Sequence, residues 1–156
     1  MNLIIMGPPG AGKGTQSLPQ AYIALLSLRL RMHNLEKSKE TFDQFYKSYG
    51  ARADLARQAA NSIYSTYASY QGEERKVVLG MAEKLLLKGV ESSRKGDSEL
   101  NALCKFELAN VMTLQGRAEG AAPIYKESIS GTNHAETKEL RTQRLIEAFR
   151  TIGKNA

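Results

Sequence analysis

Tryptophan is absent from these 156 residues, cysteine occurs once, histidine occurs twice, and aromatic residues make up only 7% of the chain. A single cysteine, Cys104, excludes an internal disulfide and fits a reducing compartment, where a buried thiol is its expected role. His33 and His134 lie far apart without metal-ligand spacing, so neither a histidine-built metal site nor a Ser/His/Asp arrangement can be assembled. Surface or capping positions are expected for both. No apolar run approaches the roughly 20 residues needed to cross a bilayer. Residues 21–30 are apolar but are interrupted by Arg29 and followed by Arg31. The N-terminus lacks the basic start of a secretion signal, so the expected setting is cytoplasmic, with no membrane partner.

What is present suits one domain. Hydrophobic residues form 42% of the chain, enough to fill a sizeable core, and alanine and leucine dominate as helical packing favours. The net charge of +6 invites a nucleic-acid reading, but the basic residues are interleaved with acids. Glu36-Lys37-Ser38-Lys39-Glu40 and Glu136-Thr137-Lys138-Glu139 are mixed runs that mark solvated helix faces rather than a phosphate-tracking stripe. Arg141, Arg144, Arg150 and Lys154 form the best candidate for a basic face, and charges there also stabilise the end of a helix. Nucleic acid is therefore disfavoured as a partner.

One stretch carries an explicit chemistry. The apolar run Leu3-Ile4-Ile5-Met6 feeds Gly7-Pro8-Pro9-Gly10-Ala11-Gly12-Lys13-Gly14-Thr15. Glycines let successive backbone N–H groups converge on an anion, because no Cβ blocks the approach. Lys13 would bring a mobile positive charge to terminal phosphates, and Thr15 would place a hydroxyl near a magnesium ion. This start closely resembles the N-terminus of adenylate kinases. The resemblance implies ATP with magnesium as cofactor, Gly7, Gly10, Gly12, Lys13, Gly14 and Thr15 as phosphate ligands, and Thr15 as the metal ligand. It covers residues 1–16. Beyond Gln16 the kinase family's Ser-Thr-Gly-Asp and Asp-Gly-Phe-Pro-Arg segments have no counterpart, and neither does its set of phosphate-clamping arginines.

A phosphate loop also needs a parallel sheet behind it. Residues 3–6 would make at most one short N-terminal strand. The nearest partner, Lys76-Val77-Val78-Leu79-Gly80, runs into Met81-Ala82-Glu83-Lys84-Leu85-Leu86-Leu87 and reads as helix. Pro19 constrains the junction. A helix starting near Gly12 would hold Pro19 in its second turn at a cost of roughly 3 kcal/mol, whereas one starting at Ser17 or Leu18 accepts it.

From Leu18 the chain reads as helices over 18–33, 35–49, 51–71, 73–95, 98–115, 117–130 and 134–152. Gly50, Gly72, Gly96, Gly116, Gly131 and Gly153 are expected to close them in a left-handed conformation. Asn133 with Glu136 suggests a capping box, and Asp97 or Ser98 a cap for the helix carrying Cys104. Leu140, Leu145, Ile146, Phe149 and Ile152 are expected to form the apolar face of the last helix. Ile63, Tyr64, Tyr67 and Tyr70 suggest a core edge.

Leu108, Ala109, Met112, Gly116, Ala121, Tyr125 and Ser128 stand at the offsets of one tetratricopeptide repeat, and residues 102–133 resemble that family. The resemblance implies paired antiparallel helices interlocked through Ala109 and Ala121 and closed by Tyr125. Pro123 and Asn133 depart from the pattern. The expected fold is thus mainly α: irregular antiparallel helical hairpins, as a repeat-like array or a bundle, over 17–156, behind a phosphate-loop-like segment at 1–16. The expected function is a helical scaffold or protein-binding module, holding a peptide or partner protein on a helical face without efficient catalysis. The alternative is an ATP-binding phosphotransferase that transfers phosphoryl to a nucleoside monophosphate. The seam at Gln16 has three explanations: a designed or chimeric chain, a degenerate natural one, or strands hidden in the middle. Its sharpness favours the first.

Overall fold

Pro19 decides where the helical part begins. Proline lacks an N–H and has a fixed φ, so it is tolerated in the first turn of a helix and disruptive beyond it. In the computed structural model, which describes residues 17–155, α1 (Leu18–Arg31) starts one residue before Pro19. Of the two starts open to the sequence, the later one is observed. The phosphate-loop residues Gly7, Gly10, Gly12, Lys13, Gly14 and Thr15, and the short strand expected at 3–6, lie outside the described residues.

The turn after α1 is closed by a histidine. His33 adopts φ 58°, its N–H donates to the Leu30 carbonyl at 3.1 Å, and the Asn34 N–H reaches back to the Arg29 carbonyl at 3.0 Å. This pair of bonds satisfies the orphan carbonyls of a helix end. Asn34 then caps α2 (Leu35–Tyr49) by accepting from the Lys37 N–H at 3.2 Å. The chain reverses within three residues, and α2 packs back on α1.

α3 (Ala53–Tyr64) is shorter than the 51–71 segment expected from the sequence. It ends at Tyr64, and a single 3-10 turn, Tyr67–Ser69, follows before α4 (Gly72–Ser93). Then come α5 (Ser98–Leu114), α6 (Ala118–Ser130) and α7 (Ala135–Asn155). The fold is mainly α, and no strand occurs among the described residues. The run Lys76–Gly80 lies inside α4, as its sequence reads.

Among the described residues only two glycines have positive φ, Gly72 at 57° and Gly116 at 80°. Gly116 closes α5, its N–H bonded to Thr113 and the next N–H, of Arg117, bonded to Met112. Gly72 opens a helix instead of closing one, Gly50 and Gly131 keep right-handed conformations, and Gly153 lies within α7. At Gly131 the requirement is space: a Cβ there would lie 2.8 Å from the Cβ of Ala102. Asp97 caps α5 as expected, accepting from the Glu99 and Leu100 N–H groups at 3.0 and 3.1 Å. Asn133 does not cap α7, which starts two residues later; its own N–H donates to Glu99 at 3.1 Å.

The last helix buries a different face from the one expected. Leu140, Ile146 and Phe149 are exposed, while Ala148 and Arg141 are buried and Leu145 and Ile152 half-buried. The spacing 141, 145, 148, 152 is the true helical stripe. Arg141, expected on an exposed basic face, is buried instead. Its guanidinium donates to the Ser128 carbonyl and lies over the Phe106 ring at 5.4 Å.

Successive helices run antiparallel. Lys105 meets Glu127 at 3.2 Å, Phe106 meets Tyr125 at a ring separation of 5.9 Å, and Ala102 faces Gly131, which aligns α5 against α6. Across α4 and α5, Asn101 donates to the Val90 carbonyl at 2.9 Å and Gln115 to Glu83 at 3.0 Å. Each helix packs substantially only on its first and second neighbours along the chain, so the molecule is an open array and not a closed bundle. Leu26, Leu30, Phe45, Ile63, Leu85 and Leu86 fill its core with Ala56, Ala59, Ala82, Ala109 and Ala121.

Pro123 sits in the interior of α6 with its ring exposed, so the Glu119 carbonyl has no helical N–H to accept. Pro123→Ala restores that bond without touching the core. It is expected to stabilise the fold by about 1–3 kcal/mol, read as a higher urea midpoint.

Candidate functional site

The odd-numbered helices pack on one another in turn, α1 on α3, α3 on α5 and α5 on α7, more closely than the even-numbered helices do. The array therefore curves with the odd helices on its inner face. Two hollows open there. One, of about 210 Å³, lies between α3 and α5 and is lined by Asn61, Tyr64, Phe106, Glu107 and Asn110. The other, of about 220 Å³, lies between α5 and α7 and is lined by Tyr64, Asn110, Thr113, Tyr125, Arg144 and Glu147. Tyr64 and Asn110 belong to both, so the two hollows adjoin at a shared wall and together make a groove across three helices.

Asn110 is oriented from behind. The buried Tyr125 hydroxyl, on α6, donates to its Oδ1 at 2.6 Å. That bond fixes the amide, so Nδ2 faces away from Tyr125 as a donor, and it bonds to no other described residue. Burial pushes the Tyr125 phenol up, against the hydrogen-bonding contact with Thr113 and the charge of Arg144. Burial also raises Tyr64, with Arg144 opposing, and the Tyr64 hydroxyl has no partner among the described residues. Both phenols remain protonated donors across the physiological range.

At the α3 side of the groove Arg57 Nε donates to Glu107 Oε1 at 2.9 Å, with Asn61 at 3.5 Å. Burial pulls the Glu107 carboxyl above the ordinary glutamate range, and the charge and hydrogen bond of Arg57 only partly restrain it. Its Oε2 is buried without a partner, as is Nε of Arg141. The site thus offers hydrogen-bond donors and acceptors, aromatic walls and one carboxylate of reduced acidity. It holds no nucleophile paired with a base.

Two larger hollows, of about 450 and 440 Å³, flank the α5–α6 turn. Their cations are already engaged: Arg117 by Glu83, Arg75 by the Tyr70 carbonyl and Lys76 by Glu73. They offer shape but few free polar groups. Burial raises the Glu83 carboxyl, but hydrogen bonds from Arg117 and Gln115 outweigh it and hold the group below the usual range.

The sequence-derived candidates fall elsewhere. The phosphate-loop residues lie outside the described region. Cys104 is buried against Gly89, and burial pushes its thiol up to about 11, so it is inert as a nucleophile. His33 stacks on Tyr70 at 4.5 Å and His134 sits at the start of α7, capping and surface roles as expected. No group of three or more potential metal-ligating side chains occurs among the described residues. The one available signal for the groove was Asn110, an isolated amide inside Leu108-Ala109-Asn110-Val111-Met112. No family model, curated protein or solved structure matches this chain.

The raised Glu107 carboxyl has a definite stability signature. A glutamate whose folded pKa exceeds its unfolded value contributes stability below the unfolded pKa and loses it as pH rises through the folded pKa. Glu107→Gln should therefore be at least as stable as the parent at pH 7. The advantage should shrink as pH falls toward the ordinary glutamate range, measured by thermal melts across pH 4–8.

Proposed function

We propose that this chain is a helical protein-binding module of tetratricopeptide-like character, whose inner groove holds an extended peptide. The observation that carries the reading is the presentation of Asn110. Its amide is oriented by Tyr125 and stands unengaged on the wall shared by both hollows, beside the free hydroxyl of Tyr64. An extended peptide exposes backbone carbonyls at regular intervals, and an oriented amide donor on a rigid helix recognises one with little ordering cost. The aromatic walls of Tyr64 and Phe106 suit an apolar side chain beside it. No catalytic group is needed, and the charged residues that line the groove are already paired, Glu107 with Arg57 and Arg144 with Glu147.

A selection from a random peptide library displayed on phage, with the full chain as bait, tests this. Enriched peptides should bind the parent chain in calorimetry. Asn110→Ala and Tyr64→Phe should each weaken them about tenfold, equivalent to roughly 1.4 kcal/mol, with helicity retained. Failure to enrich any sequence, or binders indifferent to both substitutions, would sink the proposal.

The rival is an ATP-binding phosphotransferase using Lys13, Thr15 and the amides of Gly7–Gly14. It rests on the resemblance of residues 1–16 to adenylate kinases. The helical character of everything described behind them weighs against it, since such a loop draws its geometry from a sheet. The change of character at Gln16 supports a chimeric or designed chain. Calorimetric titration of magnesium–ATP into the parent and Lys13→Ala is expected to give no saturable heat in either. Binding abolished by the substitution would favour the rival.

A further inference from the structure

α7 carries an unusual outward stripe. Ile146 and Phe149 are 44% and 46% exposed on it, although both are large and apolar. Around them lie Glu136, Glu139, Arg150 and Lys154, all exposed and none in an ion pair or hydrogen bond with another described side chain. The acids occupy the N-terminal half of the stripe and the bases the C-terminal half. Such an order complements the helix dipole. Lys126 of α6 lies over the Phe149 ring at 5.4 Å, but neither that contact nor the dipole accounts for Ile146 between them.

We propose that this stripe is a self-association surface, and that its partner is α7 of a second copy of this chain packed antiparallel about a two-fold axis near Ile146. Glu139 lies about 10 Å along the helix before Ile146, and Arg150 and Lys154 lie about 6 and 12 Å beyond it. In an antiparallel pair the acidic half of each helix therefore faces the basic half of the other, twice over. Ile146 and Phe149 of both copies meet at the centre. The two-fold contact is isologous, so it closes as a dimer and cannot propagate. At 21 residues α7 is about 31 Å long, enough for a modest interface. Only two large apolar residues per copy lie at its centre, so the dimer forms at micromolar concentration, not nanomolar. The groove on the odd-helix face is left open on each protomer.

Sedimentation equilibrium on the full chain over a hundredfold concentration range tests the proposal. The expected result is a reversible monomer–dimer equilibrium that weakens with added salt. Ile146→Glu should weaken it more than tenfold. Glu139→Lys and Lys154→Glu, which face each other across the two-fold, should each weaken it severalfold, and the double variant should return close to the parent, because both swapped charges again face their opposites. All of these positions are exposed, and circular dichroism verifies that each variant keeps its helices. A chain that stays monomeric throughout, a dimer indifferent to Ile146→Glu, or a double variant no better than its singles would overturn the proposal. Growth beyond the dimer would also overturn it and would point to end-to-end stacking against the exposed Leu28 and Met32 of α1.

Discussion

Close approach between neighbouring helices is the constraint on which the rest of this structure depends. Helix axes separate by about 8–10 Å, and the side chains at the crossing set where in that range a pair falls. Here the crossings are built from the smallest residues. Gly131 lies against Ala102, Gly89 against Cys104, and Ala109 and Ala121 are fully buried. A Cβ at Gly131 would come closer to its neighbour than van der Waals contact allows. Because α6 sits so close to α5, the hydroxyl of Tyr125 reaches the side of Asn110 and orients it. The groove is thus a second-order product of packing on the opposite side of the same helix.

Buried polar groups hold the ends in register. Tyr70, almost wholly buried, donates to the Leu30 carbonyl at 2.6 Å and ties the end of α1 to the segment after α3. Arg141 does the same for α6, donating to Ser128 in its last turn, where orphan carbonyls and the negative end of the dipole favour a cation. Burial pulls the Arg141 guanidinium down, and the charges of Glu99 and Glu107 oppose that pull. Nε of Arg141 and Oε2 of Glu107 are left buried without a partner. The buried charges fix where α7 docks and do little to strengthen the fold, in keeping with the small net value of buried ion pairs.

The helical class, the start after Ser17 and the cap at Asp97 were legible because each depends on local chemistry. Proline and aspartate act within one turn of their own position. The glycines misled, because a glycine can serve a left-handed turn, as at Gly116, or a tight crossing, as at Gly131, and only the partner helix distinguishes the two. The face of α7 misled for a related reason. Hydrophobicity alone counted Phe149 as core and Arg141 as surface, whereas Phe106 and the Ser128 carbonyl, both distant in sequence, invert them. The groove was the least legible feature. Its residues come from α3, α5 and α7, and Asn110 gains its meaning only through a tyrosine contributed by α6.

The limitation of packing to first and second neighbours has a consequence for how the chain folds. Most of its contacts join residues close in sequence and the rest join helices that are first or second neighbours, so loop-closure costs are modest, and folding should be fast for a chain of this length. A linear array has no closing contact to make its ends stand or fall together. The α1–α2 hairpin meets the rest mainly through α1 on α3, and α2 touches α3 and α4 only lightly. It can therefore detach while α3 to α6 stay folded. Amide protection would then be graded along the array, deepest in α4 and α5 and shallowest at the N-terminal hairpin.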